Sequence, residues 1–532
     1  MEPGLAQVDG APLGRLDELI WIGDIPGAGA RTCPERDAIV FAERGERTTY
    51  AQLNAQCDAV VALLHSQGLG AGDRIAYLGK NSDLYFPALF GAIRTGIVLV
   101  PINWRLAAPE IGFQLLDSGT QLLICDSDLA AVAEQALRDA GLPLPVIYTE
   151  SADRWPSFRT LLRAPAASVP VPHVSQQVIL QLYTSGTTGK PKGVLITHAA
   201  LSIARHSELQ SPAFAHLASG CIGLSAMPNF HVGGMSWVLM GLVRLGTMVI
   251  TADPSAANML KLIRDYRVDH SWMVPTLIRA LIDGLRAEQQ PAPVMKGMFY
   301  GAMPMDQALL RDAMETLGCD FLQFFGMTEI AGAATCLAPE DHDPARPRLL
   351  RSVGKPYPGM SVQIRAPDRR TLARGEHGEI WIKSPTCMLG YYQQPEKTEE
   401  AIVDGWYATG DGGFLDEEGF LFLTDRIKDL IVSGGENVYP VEVEEALRRH
   451  PAVLDAGVVG LPDARWGEVV VAVIELRPGA DVSVDALRDH ARTQIAGYKC
   501  PKTFHFASLP RTASGKVQRS QIRQSLQHTP QS

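Results

Sequence analysis

Short apolar runs alternate with amphipathic segments through the first two-thirds of the chain. The runs typical of buried strands lie at residues 74–78, 97–100, 121–125 and 146–148. Segments 50–66 and 83–95 carry apolar residues at three- and four-residue steps, which predicts helices. This alternation of strands and helices favours α/β layers with largely parallel sheets.

The pattern changes after about Gly354. Short alternating strands at 362–364 and 379–382 are separated there by Gly- and Pro-rich turns, which indicates a β-rich subdomain. Near residue 425 a further unit begins. Its helices are predicted at 440–450 and 484–495, and its apolar runs lie at 456–459 and 469–476. Such a unit is a small α+β domain of about a hundred residues.

At 532 residues the chain is too long for a single core. We therefore predict an α/β protein with two domains. The first, residues 1–425, is a large N-terminal domain of layered α/β subdomains plus the β-rich subdomain. The second, residues 426–532, is the small α+β C-terminal domain.

The composition argues against several classes of protein. Hydrophobic residues make up 46% and charged residues 20%, as in a soluble globular protein. The formal charge of 48 − 58 = −10, without a Lys/Arg block, disfavours nucleic acid as a partner. The eight cysteines are scattered with no CxxC pair, which fits a reducing cytoplasm and neither a disulfide framework nor a zinc site.

Two long apolar segments, 84–100 and 232–250, are interrupted by Arg94 and Arg244. We expect each to be a buried helix–strand pair and not a membrane span. The N-terminus lacks the basic start and apolar core of a signal peptide. A cytoplasmic protein without a transmembrane segment is the expectation.

The stretch YTSGTTGKPKG at 183–193 is the most informative piece of chemistry. It follows the apolar run 178–182 and combines glycines, hydroxyls and lysines, which suit a loop that grips phosphate oxygens. Gly186 and Gly189 are only three residues apart, so the Gly-x-x-x-x-Gly-Lys-Ser/Thr spacing of the common NTPase loop is absent. Read alone, the stretch could also be a surface loop rich in turn-forming residues.

This loop resembles the phosphate-binding signature of the acyl-CoA synthetase, adenylation-domain and luciferase superfamily. Six further segments resemble that superfamily in the same order across residues 183–519, whereas 1–170 fits by pattern only. Segment 229–231 is similar to the family's aromatic gate beside the acyl carboxylate, which gives His231 a role there. A packing histidine is the alternative.

Two segments resemble the family's nucleotide pocket. Segment 300–304 resembles the family's Gly-rich segment between the adenine and the acyl pocket, and Gly301 and Ala302 there leave room for a flat ring. In 325–329 the resemblance implies that an aromatic stacks on adenine, Thr328 contacts phosphate and Glu329 holds Mg²⁺, for which a carboxylate is a suitable hard ligand. The family usually has Tyr where this chain has Phe325, so stacking survives but a phenolic hydrogen bond does not.

The C-terminal segments resemble the rest of the family's machinery. The resemblance assigns Asp411 to the ribose hydroxyls, Arg426 to the nucleotide and Lys428 to the pivot of a mobile C-terminal domain. It assigns Gly434 and Gly435 to the pantetheine channel. Each short motif alone could be a turn or a solvated charged face.

Segment 510–517 resembles the loop that carries the family's adenylation lysine, here Lys516. The chemistry requires such a group, because negative charge accumulates on the phosphoryl oxygens when a carboxylate attacks the α-phosphate of ATP. A fixed ammonium between carboxylate and phosphate orients both and stabilises that charge.

The predicted site residues fall into three sets. The catalytic residues are Lys516, Glu329, Thr184 and His231. The residues expected to bind nucleotide or coenzyme A are Thr184, Ser185, Gly186, Thr187, Thr188, Gly189, Lys192, Gly301, Ala302, Phe325, Gly326, Met327, Thr328, Asp411, Arg426, Lys428, Gly434, Gly435 and Lys516. The metal ligands are Glu329 and Thr184.

The resemblance implies two half-reactions that use ATP, Mg²⁺ and coenzyme A. A carboxylic acid and ATP first give an acyl-adenylate and pyrophosphate, and a thiol then gives the thioester and AMP. The C-terminal domain would rotate between the steps, presenting Lys516 first and the Gly434–Gly435 loop second, which also excludes water from the labile intermediate.

The acid is expected to have an apolar tail, because no charged residue occurs among those assigned to its pocket. They are Phe230, His231, Gly233, Gly234, Met235, Trp237, Ala302, Phe324, Met327 and Ala331. Paired glycines would leave space for a long or bulky tail, and Trp237 could close it. Several of these residues could instead pack the core. A fatty acid is the first choice, with an aryl or steroid-side-chain acid next.

Other functions stay open at this point. No carrier, condensation or reductase module follows Arg519, which favours a stand-alone CoA ligase over an enzyme that loads a carrier protein. A catalytically silent nucleotide-binding module is disfavoured because Lys516 and Glu329 are both present. A homodimer is a possible assembly.

Overall fold

The computed structural model describes residues 7–13, 19–150, 157–171, 173–184, 191–215, 217–303, 305–426, 429, 431–433, 436–463, 466–495, 497–512 and 515–527. The strands are β1 (Gln7–Asp9), β2 (Asp37–Phe41), β3 (Glu46–Thr49), β4 (Arg74–Leu78), β5 (Val98–Ile102), β6 (Leu122–Cys125), β7 (Val146–Tyr148), β8 (Val178–Thr184), β9 (Lys192–Thr197), β10 (Ile222–Ser225), β11 (Thr247–Ile250), β12 (His270–Met273), β13 (Gly297–Gly301), β14 (Asp320–Met327), β15 (Gly332–Leu337), β16 (Lys355–Pro356), β17 (Ser361–Arg365), β18 (Gly378–Lys383), β19 (Gly390–Tyr391), β20 (Ile402–Val403), β21 (Trp406–Leu415), β22 (Leu421–Arg426), β23 (Ile431–Ser433), β24 (Glu436–Val438), β25 (Val453–Asp463), β26 (Gly467–Leu476) and β27 (Thr503–Phe506).

The helices are α1 (Ile25–Thr32), α2 (Tyr50–Ser66), α3 (Tyr85–Thr95), α4 (Ala108–Ser118), α5 (Ala130–Ala140), α6 (Phe158–Leu161), α7 (His198–Gln210), α8 (Val232–Val243), α9 (Ala256–Asp265), α10 (Pro275–Glu288), α11 (Gln307–Leu317), α12 (Pro395–Ala401), α13 (Pro440–Arg448), α14 (Val484–Gln494) and α15 (Arg519–Gln527).

The chain forms two compact units. The larger comprises Asp9–Ser361 and Ile382–Tyr407, and the smaller comprises Met1–Val8, Val362–Trp381 and Ala408–Ser532. The β-rich segment Val362–Trp381 therefore belongs to the same compact unit as the C-terminal residues. The predicted domain boundary after residue 425 stays a prediction.

Two sheets form the larger unit, with strand orders β16-β15-β14-β13-β12-β10-β11-β2-β3 and β19-β9-β8-β5-β4-β6-β7. Their central pairs are parallel, and antiparallel pairs occur at the edges, where β14 meets β15 and β8 meets β9. This confirms the predicted α/β fold with largely parallel sheets. The helices between the strands cover the sheet faces, as parallel connections require.

Several predicted elements are found at their expected bounds. Strand β4 and helix α2 coincide with the predicted segments, and β5 ends two residues later than predicted. A capping box fixes the start of α2, because Thr49 Oγ1 accepts from the amide of Gln52 and Gln52 Oε1 accepts from the amide of Thr49.

Both long apolar segments are buried helix–strand pairs, as predicted: α3 leads into β5, and α8 leads into β11. Among the described residues, no helix has the length and apolar character needed to cross a bilayer. The arginine that interrupts the first segment, Arg94, is 4% exposed, and its guanidinium lies 2.5 Å from the carboxylate of Asp58. The ion pair therefore ties α3 to α2.

The smaller unit contains a sheet with the order β1-β17-β18-β21, in which β22 also pairs with β21, and a second sheet with the order β24-β23-β26-β25, in which β27 pairs with β26. Helices α13 and α14 contribute Val443, Leu447 and Leu487 to the apolar core of the second sheet. The predicted small α+β unit is thus present.

We predict that Asp58→Ala lowers the free energy of unfolding by about 3 kcal/mol, because it leaves the buried Arg94 guanidinium without its counter-charge. Asp265→Ala is the control, since it removes the partner of Lys261 from an exposed ion pair and should have no measurable effect. Denaturant unfolding of both variants checks this. Equal stability of the two variants would contradict the assigned role of the buried pair.

Candidate active site

The predicted phosphate loop connects two paired strands. Strand β8 ends at Thr184, β9 begins at Lys192, and these two residues lie opposite each other in the antiparallel pair. The hairpin therefore places a hydroxyl beside an ammonium at the base of the loop. The remaining predicted phosphate ligands lie outside the described residues, and their roles stay predictions. They are Ser185, Gly186, Thr187, Thr188 and Gly189.

The ammonium of Lys192 lies over an aromatic ring. Its Nζ is 4.4 Å from the ring centroid of Tyr391. Burial lowers the pKa of Lys192 below its ordinary value, and the neighbouring charge of Lys397 adds to this effect. The carboxylates of Glu329 and Glu400 oppose it. Lys192 is thus a partly desolvated cation with charges of both signs nearby.

Glu329 lies in a short 3₁₀-helix, Thr328–Ile330, which directly follows β14. Its backbone carbonyl accepts a 2.7 Å hydrogen bond from the amide of Met388. Its Oε1 accepts a 3.3 Å hydrogen bond from the hydroxyl of Tyr391. Tyr391 therefore connects the carboxylate of Glu329 with the ammonium of Lys192, and three separate chain segments meet there.

The assignment of Mg²⁺ to Glu329 and Thr184 stays a prediction. Among the described residues, no group of three or more His, Cys, Asp and Glu side chains could hold a metal ion. Mg²⁺ does not need such a cage, since it binds through one or two carboxylates, substrate phosphates and waters. Glu329, with the hydroxyl of Thr184, would hold it. When bound, the ion neutralises charge on the phosphates of ATP.

The glycine of the predicted adenine segment is required by close packing of two strands. Gly301 pairs with Phe324, and a Cβ at Gly301 would lie only 2.5 Å from the carbonyl oxygen of Phe324. Ala302 follows with a φ of 64°, an uncommon value for a residue with a Cβ. The chain therefore turns sharply where β13 ends.

Strand β14 carries the second nucleotide motif to the same edge of the sheet. Phe325 is buried at 8% exposure, Gly326 is exposed, and the ladder with β15 is irregular between them. Met327 and Thr328 are half-buried. Stacking of Phe325 on adenine stays a prediction.

The expectation about the paired glycines is wrong. A Cβ at Gly233 would lie 2.6 Å from the indole of Trp272, and one at Gly234 would lie 2.2 Å from the carbonyl oxygen of Pro228. The space beside Gly233 is therefore occupied by the indole of Trp272, and the space beside Gly234 is occupied by the backbone of Pro228. Trp237 is 3% exposed and donates its indole N–H to the carbonyl of Leu224 at 2.8 Å, so it packs the core.

His231 is the N-cap residue of α8, and its side chain is exposed. Its ring centroid lies 4.5 Å from that of Phe230, in a tilted arrangement. The surrounding protein, and secondarily the charge of Arg105, lower the pKa of His231 below its ordinary value. The lowered pKa favours the neutral imidazole, and the role of His231 as an aromatic gate stays a prediction.

Asp411 lies in the smaller unit, within β21 and opposite Arg426 of β22. The ladder is irregular just after Asp411, and Gly410 before it has a φ of 71°. The amide of Asp411 donates to Thr409 Oγ1 at 3.0 Å, and that hydroxyl donates to the carbonyl of Ile380 at 2.7 Å. Asp411 thus lies at an irregular point of a strand.

Lys516 is exposed on a short turn of the smaller unit. The amide of Thr512 donates to the carbonyl of Lys516 at 2.7 Å, and the amide of Lys516 donates to Thr512 Oγ1 at 3.1 Å. Arg511, which precedes Thr512, anchors the turn to β25 and β26. It forms ion pairs of 2.7 Å with Asp455 of β25 and 3.1 Å with Glu475 of β26. The turn that carries Lys516 is thus anchored to β25 and β26.

The other predicted residues of the C-terminal machinery are not described in enough detail to test their roles. Lys428, Gly434 and Gly435 lie outside the described residues, and Arg426 is described by its backbone alone. Their assignments stay predictions.

Sequence reasoning missed Tyr391. It lies 62 residues after Glu329 along the chain, and the antiparallel pairing of β19 with β9 brings it next to the hairpin. The tyrosine pair directly after Gly390 was the available signal.

The chain matches the AMP-binding enzyme family over residues 28–392, and the AMP-binding enzyme C-terminal domain over residues 442–516. It is 38% identical over 485 residues to a fatty acid–[acyl-carrier-protein] ligase, ScoC, of Streptomyces coeruleorubidus, covering 90% of this chain and 92% of that protein. It is 34% identical over 505 residues to a feruloyl-CoA synthase of an Amycolatopsis species, covering 94% and 98%.

The fold is also similar to that of a solved o-succinylbenzoate CoA synthetase from Bacillus subtilis in complex with an acyl-adenylate intermediate. The TM-score is 0.82 at 31% identity, over 94% of this chain and 98% of that one. The larger family match spans most of the chain, so the chain belongs to the AMP-binding enzymes of the acyl-CoA synthetase superfamily. It is an AMP-forming acid–thiol ligase that uses ATP and Mg²⁺.

We predict that Tyr391→Phe raises the KM for Mg·ATP roughly fivefold, because Glu329 loses a hydrogen bond worth about 1 kcal/mol while the ring under Lys192 is kept. Tyr392→Phe is the matched control, since the hydroxyl of Tyr392 accepts from Gln393. Steady-state kinetics with varied Mg·ATP checks this. An unchanged KM in Tyr391→Phe, or the same rise in both variants, would contradict the role given to the hydroxyl.

Proposed function

We propose that this chain activates a carboxylic acid with a largely apolar tail, with fatty acids as the first choice, and transfers its acyl group to coenzyme A. The observation that carries the proposal is that Tyr391 contacts both Lys192 and Glu329. These contacts lie beside the β8–β9 hairpin, whose first strand ends at Thr184. A cation, a carboxylate and a hydroxyl at one place suit the phosphates of Mg·ATP.

In the first half-reaction, a carboxylate oxygen of the acid attacks the α-phosphorus of ATP. The bond to the pyrophosphate oxygen breaks, and an acyl-adenylate forms. Thr184 and Lys192 would hold the β- and γ-phosphates, and Lys516 would stabilise the charge on the attacked phosphate. Neutral His231 would close the site beside the carboxylate without competing for its charge.

In the second half-reaction, the thiolate of coenzyme A attacks the acyl carbon. The bond between that carbon and the phosphate oxygen breaks, AMP leaves, and the thioester remains. We propose that the C-terminal domain turns about Lys428 between the two steps, so that the Gly434–Gly435 loop replaces Lys516. Lys428→Pro should then slow both half-reactions, and normal rates in this variant would contradict the rotation.

Two alternatives have specific support. The relation to an acyl-carrier-protein ligase makes a carrier-bound pantetheine the second candidate for the thiol. The relation to a feruloyl-CoA synthase makes an aryl acid the second candidate for the acid, ahead of a steroid-side-chain acid. A silent nucleotide-binding module is the least favoured function, because Glu329 and Lys516 are both retained.

The proposed function is tested by measuring pyrophosphate release with fatty, aryl and polycyclic acids, each with and without coenzyme A. We expect release that depends on the acid, together with consumption of coenzyme A and formation of a thioester. Thioester formation from none of the acids would contradict the CoA-ligase proposal. Release without consumption of coenzyme A would favour transfer to a carrier protein.

We predict that Lys516→Ala slows acid-dependent ATP–pyrophosphate exchange by at least about 100-fold, because the attacked phosphate loses a preorganised cation. Thioester formation from a supplied acyl-adenylate should stay near the wild-type rate. Lys502→Ala, which removes another lysine of the smaller unit, is the control and should leave both rates unchanged. Equal losses in the two half-reactions of Lys516→Ala would contradict the assignment.

A further inference from the structure

The segment that carries Asp411 departs from regular strand geometry at Gly410. Gly410 has a φ of 71°, in the left-handed region that favours glycine, and the β21–β22 ladder is irregular just after Asp411. Among the described residues, no heavy atom beyond the chain neighbours of Gly410 lies within 4 Å of a Cβ built there. The backbone conformation, and not close packing, therefore favours a glycine at this position.

Strand β18, which lies next to β21 in the sheet, contacts this glycine through Glu379. The amide of Gly410 donates to Glu379 Oε1 at 3.0 Å. The other carboxylate oxygen, Oε2, accepts from the indole N–H of Trp381 at 3.0 Å. Both oxygens of this half-buried carboxylate are thus in charge-assisted hydrogen bonds, which fix its orientation.

The indole that holds Glu379 is itself fixed. Trp381 is 3% exposed, and the guanidinium of Arg365 in β17 lies 4.3 Å from its ring centroid. A series of contacts therefore runs from β17 through Trp381 and Glu379 to Gly410, the residue directly before Asp411.

A second contact with β18 fixes the next amide of the segment. Thr409 Oγ1 accepts from the amide of Asp411 at 3.0 Å and donates to the carbonyl of Ile380 at 2.7 Å. The amides on both sides of the Gly410 α-carbon are thus bound by side-chain oxygens. Rotation about the backbone bonds of Gly410 would break one of these hydrogen bonds, and glycine has no Cβ that would otherwise restrict such rotation.

We propose that Glu379 is a positioning residue for Asp411: it holds the backbone of Gly410, and thereby the Asp411 carboxylate, in the direction needed to bind the ribose hydroxyls of the nucleotide. This inference rests on the proposed function and on the predicted role of Asp411 as the ribose ligand. A carboxylate directed at two hydroxyls discriminates against a nucleotide that lacks one of them, because an acceptor is then left unpaired. Loss of the positioning residue should weaken that discrimination.

The test measures the binding of AMP, 2′-deoxy-AMP and 3′-deoxy-AMP to the full-length protein by isothermal titration calorimetry, so that the identity of the acid does not enter. We expect the wild-type protein to bind AMP roughly 10-fold or more tightly than either deoxy analogue. The ratio of two dissociation constants from one protein sample does not depend on the fraction of folded protein. A general loss of stability therefore does not change this ratio.

Glu379→Ala should reduce the preference for AMP to about twofold, because AMP loses more affinity than its analogues. Asp411→Ala should reduce it to about one, and the double variant Glu379→Ala/Asp411→Ala should have the same ratio as Asp411→Ala, because Glu379 acts through Asp411. Glu379→Gln keeps one oxygen as an acceptor for the amide of Gly410 and should retain most of the preference.

Glu376→Ala is the matched control. Glu376 Oε2 accepts from the amide of Ala373 at 2.7 Å, so this variant also removes one negative charge and one carboxylate–amide hydrogen bond from the same compact unit. The control should keep the wild-type ratio.

An unchanged ratio in Glu379→Ala would overturn the inference, and so would the same fall in Glu376→Ala. A double variant whose ratio differs from that of Asp411→Ala would also overturn it, since Glu379 would then act without Asp411. Equal binding of the three nucleotides by the wild-type protein would contradict the predicted role of Asp411 and the inference with it. If none of the nucleotides binds, the proposed function itself fails, which is a distinguishable outcome.

Discussion

The candidate site depends on the antiparallel pairing of β9 with two strands at once, β8 on one side and β19 on the other. The first pairing sets Thr184 opposite Lys192, and the second brings Tyr391 under the ammonium. Because Tyr391 also donates to Glu329, a single tyrosine contacts both the cation and the carboxylate. The backbone hydrogen bonds of β8, β9 and β19 thus hold the segments that carry these side chains next to one another.

Holding these groups together has an electrostatic consequence. Burial lowers the pKa of Lys192, and the nearby carboxylate of Glu329 partly restores it. A cation that is partly desolvated before the nucleotide arrives interacts more strongly with phosphate than a fully hydrated one. The arrangement is therefore preorganised for an anionic ligand.

Much of the fold could be predicted from the sequence, because burial periodicity is a local property. Helix α2 and strand β4 follow directly from it. The adenylation motif could be predicted as well, since Phe325, Thr328 and Glu329 are close together in the chain. Tyr391 could not, because its role depends on strand pairing between segments that are far apart in sequence.

The properties of the acyl pocket were the hardest to predict. Gly233 looked like a source of space, but the Trp272 indole fills that position. Whether a glycine opens a cavity depends on what packs against it, and a single sequence does not contain that information.

Activation through an acyl-adenylate joins one of the acid's own oxygens to AMP. Its most direct test uses an acid labelled with ¹⁸O in the carboxyl group, with mass spectrometry of the AMP after turnover with coenzyme A. We expect AMP that carries one ¹⁸O atom, because the attacking carboxylate oxygen leaves with the phosphate. AMP without the label, or ADP as the product, would contradict it.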